Sequence, residues 1–79
     1  MKTIQILGMG CAKCNKLYEQ AEAAAKELGV EYRMEKISDM DKIVGMGVMM
    51  TPAMAVDGVV KVSGRVPTVE SLKELISKA

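Results

Sequence analysis

The chain has 79 residues and a formal net charge of +1, with 11 basic and 10 acidic side chains. This length predicts one domain, residues 1–79, and the near-neutral charge with 3% aromatic residues argues against a nucleic-acid-binding surface. The N-terminal apolar run is too short for a signal peptide and no segment approaches the ~20 apolar residues of a membrane span, so we expect a cytoplasmic protein.

The first two elements are a strand and a long helix. Residues 2–7 include Ile4, Ile6 and Leu7 and predict a largely buried strand. Apolar side chains then recur at helical spacing over about residues 12–28, at Leu17, Ala21, Ala24 or Ala25, and Leu28. Cys14 falls on the same stripe, so we expect it to be shielded from solvent. Gly29 is typical of the position that follows a helix C-terminus.

The only two cysteines lie where the strand passes into the helix, in the run Gly8-Met9-Gly10-Cys11-Ala12-Lys13-Cys14. Helical positions three apart bring Cβ atoms to about 5–6 Å, and a disulfide needs Cα atoms about 4.4–6.8 Å apart, so the two sulfurs can bond. The positive end of the helix favours a thiolate and should lower the pKa of Cys11 below the roughly 8.5 of a free thiol. We therefore hypothesise that Cys11 attacks and Cys14 resolves.

The neighbours of the cysteines each have two interpretations. Lys13 either stabilises the Cys11 thiolate or is a solvated lysine of the first helical turn. Gly8 and Gly10 either allow the backbone of a partner to approach closely or serve a tight turn between strand and helix, and the turn is the favoured interpretation.

The remaining elements are punctuated by caps and turns. Residues 30–36 alternate apolar and charged side chains and predict a strand parallel to the first. A short helix is predicted over residues 39–44, with Met40, Ile43 and Val44 facing the core. Residues 53–56 and 59–62 flank Asp57-Gly58, a hairpin signal, and the Thr68 cap precedes a helix whose apolar face comprises Val69, Leu72, Leu75 and Ile76. The predicted order is βαβαββα.

Eight methionines raise a further question, because several are bunched at Met46, Met49, Met50 and Met54. They could serve as soft copper ligands or as an adaptable docking surface. Since phenylalanine and tryptophan are absent, we favour methionine as a filler of irregular gaps in the core. Met9 and Met50 are exceptions, because they lie beside the loops expected to flank the thiols and could touch a partner.

The Cys-x-x-Cys on the first βα turn, Thr51-Pro52 before a hairpin, and the element order together resemble the thioredoxin superfamily. The likeness is to its small, single-domain, glutaredoxin-sized members. It implies an α/β fold with a four-stranded mixed sheet and flanking helices. It also implies a monomeric thiol–disulfide oxidoreductase whose only redox group is the Cys11–Cys14 disulfide, with a protein thiol or disulfide as substrate and an upstream reductase.

The resemblance also suggests how a substrate docks. It implies a cis Thr51–Pro52 bond, with Pro52 packed beside the disulfide and the Thr51 backbone pairing with an extended substrate. Met50, Gly10 and Lys13 would border that substrate. Glutaredoxin-like folds hold glutathione near the positions of Gly64, Arg65 and Thr68, but the match is loose and we assign no ligand there.

Two alternatives stay open at this stage. The run from Gly8 to Cys14 also resembles the G-M-x-C-x-x-C loop of heavy-metal-associated copper chaperone domains, and paired thiolates suit Cu(I) or Zn(II). Those domains run βαββαβ and give a Thr-Pro pair no role, and two cysteines alone cannot complete a tetrahedral zinc site, so we assign no metal. The third possibility is a thioredoxin-shaped binding module whose thiols are incidental.

The sequence departs from full-length thioredoxins in two respects: it has Ala12-Lys13 between the cysteines, and it contains no tryptophan.

Overall fold

A computed structural model of the chain describes residues 1–8 and 12–78. The elements within these residues follow the predicted order βαβαββα. They are β1 (Lys2–Leu7), α1 (Ala12–Leu28), β2 (Tyr32–Ile37), α2 (Met40–Gly45), β3 (Ala53–Val56), β4 (Val59–Ser63) and α3 (Val69–Ser77). The predicted fold class is confirmed: the chain forms a four-stranded mixed sheet with flanking helices.

The strands are ordered β2-β1-β3-β4 across the sheet. β1 pairs with β2 in parallel, as predicted, and with β3 in antiparallel fashion, while β3 and β4 form an antiparallel hairpin. At the carboxyl end of β1, Leu7 lies opposite Ile37 of β2 and Ala53 of β3. Gly8 follows, and its N–H donates a hydrogen bond to the Ile37 carbonyl at 2.9 Å. Three strands therefore fix the position at which the chain leaves β1 for the cysteine segment.

One face of the sheet is covered by α1 and α3, which pack against each other as well as against the strands. The helical spacing of small and branched side chains in α1 forms this interface, because residues three and four apart share a face of a helix. Ala21, Ala24 and Ala25 are fully buried and let the helix axis approach its neighbours closely. The larger core residues on this face are Ile4, Ile6, Leu17, Met54, Val56, Val62, Leu72 and Ile76.

A smaller cluster lies under α2 and comprises Leu7, Ile43, Val48, Ala53 and Ala55, with Ile37, Met46 and Val60 at its margin. The Asp39 side chain caps α2 by accepting a hydrogen bond from the Asp41 N–H at 3.0 Å. The prediction that Met40 and Val44 face the core was wrong, because their side chains are 52% and 63% exposed. A helix of six residues makes fewer than two turns, and only Ile43 reaches the sheet.

The hairpin and the C-terminal helix follow their local signals. Asp57 and Gly58 have φ values of 51° and 85°, the positive pair that a two-residue hairpin turn of type I′ requires. Asp57 also ties this turn to β1, since its carboxylate accepts from the Thr3 N–H at 2.9 Å and its own N–H donates to the Thr3 carbonyl at 2.8 Å. Thr68 caps α3 as predicted, accepting from the Ser71 N–H at 3.2 Å.

Three strand boundaries differ from prediction. β2 runs from Tyr32 to Ile37 rather than over residues 30–36, although Val30 still packs against the larger core. β4 extends to Ser63, one residue further than expected, with a register shift in its pairing with β3 between Met54 and Ala55. Of the helices described here, none is long and apolar enough to cross a membrane.

Candidate active site

Cys14 lies in the first turns of α1 and is 5% exposed, on the buried face that the helical spacing predicted. Its neighbour Lys13 is exposed to solvent. Cys11 precedes the first residue of α1 in the sequence, but Met9, Gly10 and Cys11 lie outside the described residues. The roles assigned to those three residues therefore stay predictions.

Gly8 lies next to the Cys14 side chain. A Cβ atom placed on Gly8 would lie 2.2 Å from the Cys14 Sγ and 3.2 Å from its Cβ. Gly8 does not have a positive φ, so its own φ is one that other residues can adopt. The absence of a side chain at Gly8 leaves room for a sulfur of the same chain, which is a reason for glycine that the sequence analysis did not consider. Spacing along the sequence could not reveal a contact that depends on how α1 packs against the end of β1.

The loop before β3 approaches the same point from the other side. The Thr51–Pro52 peptide bond is cis, the Pro52 side chain is fully buried and Thr51 is exposed. The Thr51 Cβ lies 3.9 Å from the position that a Gly8 Cβ would occupy. The structure thus brings together Cys14, Gly8 and Thr51, which are contributed by a helix, a strand end and a loop. This juxtaposition of a buried cysteine and an exposed pre-proline segment is the candidate active site.

Comparison with known proteins identifies the family of this chain. A family model described as a thioredoxin domain matches residues 2–77. The chain belongs to the thioredoxin family. It is 46% identical over 77 residues to the thioredoxin of Methanothermobacter thermautotrophicus, covering 98% of this chain and 100% of the relative. It is also 40% identical over 74 residues to the thioredoxin of Methanocaldococcus jannaschii, covering 94% of this chain and 85% of the relative.

Membership in the thioredoxin family confirms the resemblance stated from the sequence and the predicted enzyme class, protein thiol–disulfide oxidoreductase. The copper-chaperone alternative is not favoured, because this chain runs βαβαββα and its last described element is α3. Within residues 1–8 and 12–78, no group of three or more cysteine, aspartate or glutamate side chains is placed to hold a metal ion.

The thioredoxin-family loop at Pro52 is braced by the end of β4, a contact that the sequence analysis missed. The Met50 carbonyl accepts a hydrogen bond from the Ser63 Oγ at 3.3 Å, and the Pro52 carbonyl accepts from the Gly64 N–H at 2.9 Å. The hairpin pattern alone does not predict this brace, because a regular two-residue turn would place Ser63 opposite Pro52. The register shift between Met54 and Ala55 pairs Ala53 with Ser63, and one further step places Gly64 beside Pro52.

Met50 lies directly over Gly64. A Cβ on Gly64 would lie 3.1 Å from the Met50 Cβ, 3.3 Å from its Cε and 3.4 Å from its Sδ. Gly64 also has a φ of 76°, a left-handed conformation that glycine adopts without steric cost. Met50 nevertheless remains 64% exposed. The Met50 side chain thus lies against Gly64 on one side and is largely exposed to solvent.

The methionines divide into two groups, and the core-filling interpretation holds for only one of them. Met54 is fully buried and Met46 packs at the margin of the smaller cluster, but Met49 is 95% exposed. The assignment of Met49 to the core was therefore wrong, because the residue lies in the loop after α2 and its side chain faces solvent. Met49 instead borders an open groove of about 440 Å³, whose lining comprises Met40, Ile43, Val44, Gly47, Val48, Met49 and Thr51.

Proposed function

We propose that this chain exchanges disulfides with protein substrates through a Cys11–Cys14 dithiol pair, with substrate docked beside Thr51–Pro52. The observation that carries the proposal is the convergence of buried Cys14 and exposed Thr51 on Gly8, in a chain of the thioredoxin family. A shielded cysteine suits the resolving role, because it cannot readily meet a large partner itself. Cys11, one residue before α1 in the sequence, is assigned the attacking role.

The chemistry needs no group beyond the two cysteines. The Cys11 thiolate attacks one sulfur of a substrate disulfide, the substrate S–S bond breaks, and one substrate thiolate leaves. The Cys14 thiolate then attacks the Cys11 sulfur of the mixed disulfide, which releases the second substrate thiolate and forms the Cys11–Cys14 bond. Two electrons pass to the substrate, and an upstream reductase returns the pair to the dithiol. The partners are thus a protein thiol or disulfide and a reductase, with the chain acting as a monomer.

Backbone hydrogen bonding supports docking at Thr51. The carbonyls of Met50 and Pro52 are both engaged by the end of β4. Among the described residues, no backbone hydrogen bond engages Thr51 between them. An extended peptide can therefore pair with the Thr51 N–H and C=O groups, as added strands pair with free backbone groups elsewhere. Met50 would contact the peptide with its exposed thioether, and Gly10 and Lys13 would border it on the cysteine side.

A redox titration tests the dithiol. The protein is equilibrated across a graded series of reduced and oxidised dithiothreitol, alkylated, and counted by mass spectrometry. We expect one two-electron transition, in which both cysteines become protected from alkylation together. The Cys14→Ser variant is the control and should show no intramolecular transition. If the wild-type protein forms no Cys11–Cys14 disulfide anywhere in the series, the proposed mechanism is wrong and a binding module is the better account.

Hydrogen exchange tests whether a bound peptide pairs with the Thr51 backbone. A Cys14→Ser variant is trapped as a mixed disulfide between Cys11 and a cysteine-containing peptide, and exchange of the Thr51 N–H is followed by NMR. The same variant carrying only a methylthio group on Cys11 is the control, since that adduct has no backbone to pair. We expect slower exchange at Thr51 with the peptide alone. Equal exchange rates in the two adducts would exclude backbone pairing at this position.

A further inference from the structure

We propose that Gly8 is a positioning residue for the resolving step. Only a residue without a side chain leaves room for the Cys14 sulfur against the end of β1, and Gly8 thereby sets the place from which that sulfur attacks. The inference rests on the proposed function, because it concerns the second of its two steps. Gly8 lies outside the Cys-x-x-Cys segment and would act on the reaction only by positioning the Cys14 sulfur.

The contact is too short to accommodate a methyl group. A Cβ on Gly8 would lie 2.2 Å from the Cys14 Sγ, whereas even non-bonded carbon atoms rest about 3.5–4.0 Å apart. An alanine at this position therefore has to move the sulfur by more than about 1 Å or push α1 away from the sheet. The φ of Gly8 is one that alanine can adopt, so the conflict is with the Cys14 side chain: chiefly with its sulfur, and to a smaller extent with its Cβ at 3.2 Å.

Neither partner can easily retreat from the other. The Gly8 N–H is tied to the Ile37 carbonyl at 2.9 Å, and Leu7 before it is fully buried and paired on both sides. Cys14 is carried by α1, whose next inward residue, Leu17, is fully buried in the larger core. The backbone on both sides is therefore fixed by the sheet and by the helix. The softest response to a methyl group is rotation of the Cys14 side chain away from its present position.

A displaced sulfur should slow the resolving step and leave the attacking step unchanged. Attack on a mixed disulfide requires the nucleophile close to the Cys11 sulfur and in line with the bond that breaks. Misplacement of a reacting group by about 1 Å can cost on the order of 100-fold in rate. The first step uses Cys11 alone, so a general loss of stability or solubility would not separate the two steps in this way.

The aromatic disulfide 5,5′-dithiobis(2-nitrobenzoate) reports both steps in one trace. Attack by Cys11 releases one coloured thionitrobenzoate and leaves the other on Cys11, and attack by Cys14 then releases the second and closes the Cys11–Cys14 bond. We expect the wild-type protein to release two equivalents, with a second phase that does not depend on protein concentration. In Gly8→Ala we expect an unchanged first phase and a second phase slower by roughly 10- to 100-fold.

A matched glycine serves as the control. Gly45, the last residue of α2, has no positive φ, and a Cβ there would meet no atom within 4 Å. Gly45→Ala should therefore leave both phases at their wild-type rates. If Gly8→Ala also keeps a wild-type second phase, the positioning role is wrong while the proposed function stands. If the wild-type protein itself releases only one equivalent, the dithiol mechanism fails before Gly8 is tested.

A double-mutant cycle covers the case in which Gly8→Ala does not fold. Urea unfolding under reducing conditions is compared for Gly8→Ala, Cys14→Ala and the variant that carries both. Because Cys14→Ala removes the sulfur that the new methyl group would meet, we expect it to relieve most of the destabilisation caused by Gly8→Ala. Additive effects, or failure of the double variant to fold, would show that the sulfur is not what requires glycine at position 8.

Discussion

The two faces of the sheet differ in how completely they are covered. On one face α1 and α3 bury a continuous cluster from Ile4 to Ile76, and on the other the six-residue α2 covers only the end of the sheet around Leu7. Met54 is completely buried in the first face, whereas Met49, in the loop after α2, is 95% exposed. The stability of the fold therefore comes mainly from the α1–α3 face. The α2 side leaves apolar side chains available next to Thr51, where we place the substrate.

Truncation of a large apolar side chain on each side gives the largest expected contrast. Leu17→Ala removes a fully buried side chain from the α1–α3 face and should lower the free energy of unfolding by about 2–5 kcal/mol. Met49→Ala removes a side chain of similar size from the α2 side and should change it by less than about 0.5 kcal/mol. Urea denaturation measures both. Comparable losses in the two variants would contradict the division between the faces.

Alanine substitution at two glycines with left-handed backbone conformations tests whether Met50, in the loop before Pro52, contacts the substrate. Gly64 and Gly29 have φ values of 76° and 70°, so either substitution should cost about 1–2 kcal/mol of stability through backbone strain. Only Gly64→Ala also crowds Met50, since a Cβ on Gly29 would meet nothing within 4 Å. We expect Gly64→Ala alone to raise the KM for a disulfide substrate, roughly twofold for about 0.5 kcal/mol of lost docking. Equal KM values in the two variants would show that Met50 does not contribute to substrate docking.

The caps of the two C-terminal helices offer a smaller contrast. Thr68→Ala removes the hydrogen bond to the Ser71 N–H at the start of α3 and should cost about 1 kcal/mol of stability. Asp39→Ala removes the cap of α2 and should cost about 0.5 kcal/mol, because fewer core contacts depend on that helix. Thr68→Ser retains the capping oxygen and is the control. A larger loss for Asp39→Ala would mean that α2 contributes more to stability than its packing indicates.

The smallest effect is expected at the exposed Glu74–Lys78 pair of α3. The Lys78 ammonium hydrogen-bonds Glu74 at 2.7 Å and lowers the pKa of that carboxyl in the folded protein. The lowered pKa stabilises the fold above the unfolded pKa of about 4.3, and this contribution disappears as the pH falls through the folded value. Glu74→Gln should therefore slightly reduce the difference between urea midpoints at pH 7 and pH 3. Solvent and salt screen such pairs, so the change should shrink further at high ionic strength.

Glu19, an exposed glutamate of α1, supplies the control for that measurement. Glu19→Gln makes the same chemical change without removing the contact to Lys78. If both variants alter the pH dependence equally, the Lys78 hydrogen bond contributes nothing specific. If Glu74→Gln instead produced a loss comparable to Leu17→Ala, surface charge rather than the α1–α3 core would dominate stability.

The sequence by itself determined the features that depend on neighbours along the chain. The 3.6-residue spacing of apolar side chains specified α1 and the buried position of Cys14, because the period of a helix alone decides which residues share a face. Asp57-Gly58 specified the hairpin and Thr68 the start of α3, since turn and cap residues act within a few positions. Together with Thr51-Pro52 and the Cys-x-x-Cys, these local signals were sufficient to predict the family of the chain.

Only the tertiary structure decided which residues meet across elements. The side chains of Met40, Val44 and Met49 are apolar like those of core residues. They are nevertheless exposed, because α2 is too short to bury them against the sheet. The contacts of Gly8 with Cys14 and of Gly64 with Met50 join segments that are remote in sequence or belong to different elements. Hydrophobicity and spacing along the chain indicate which residues can be buried. Whether such a residue is buried depends on how the elements pack in the folded chain. The distance between two packed elements also decides where a glycine is required between them.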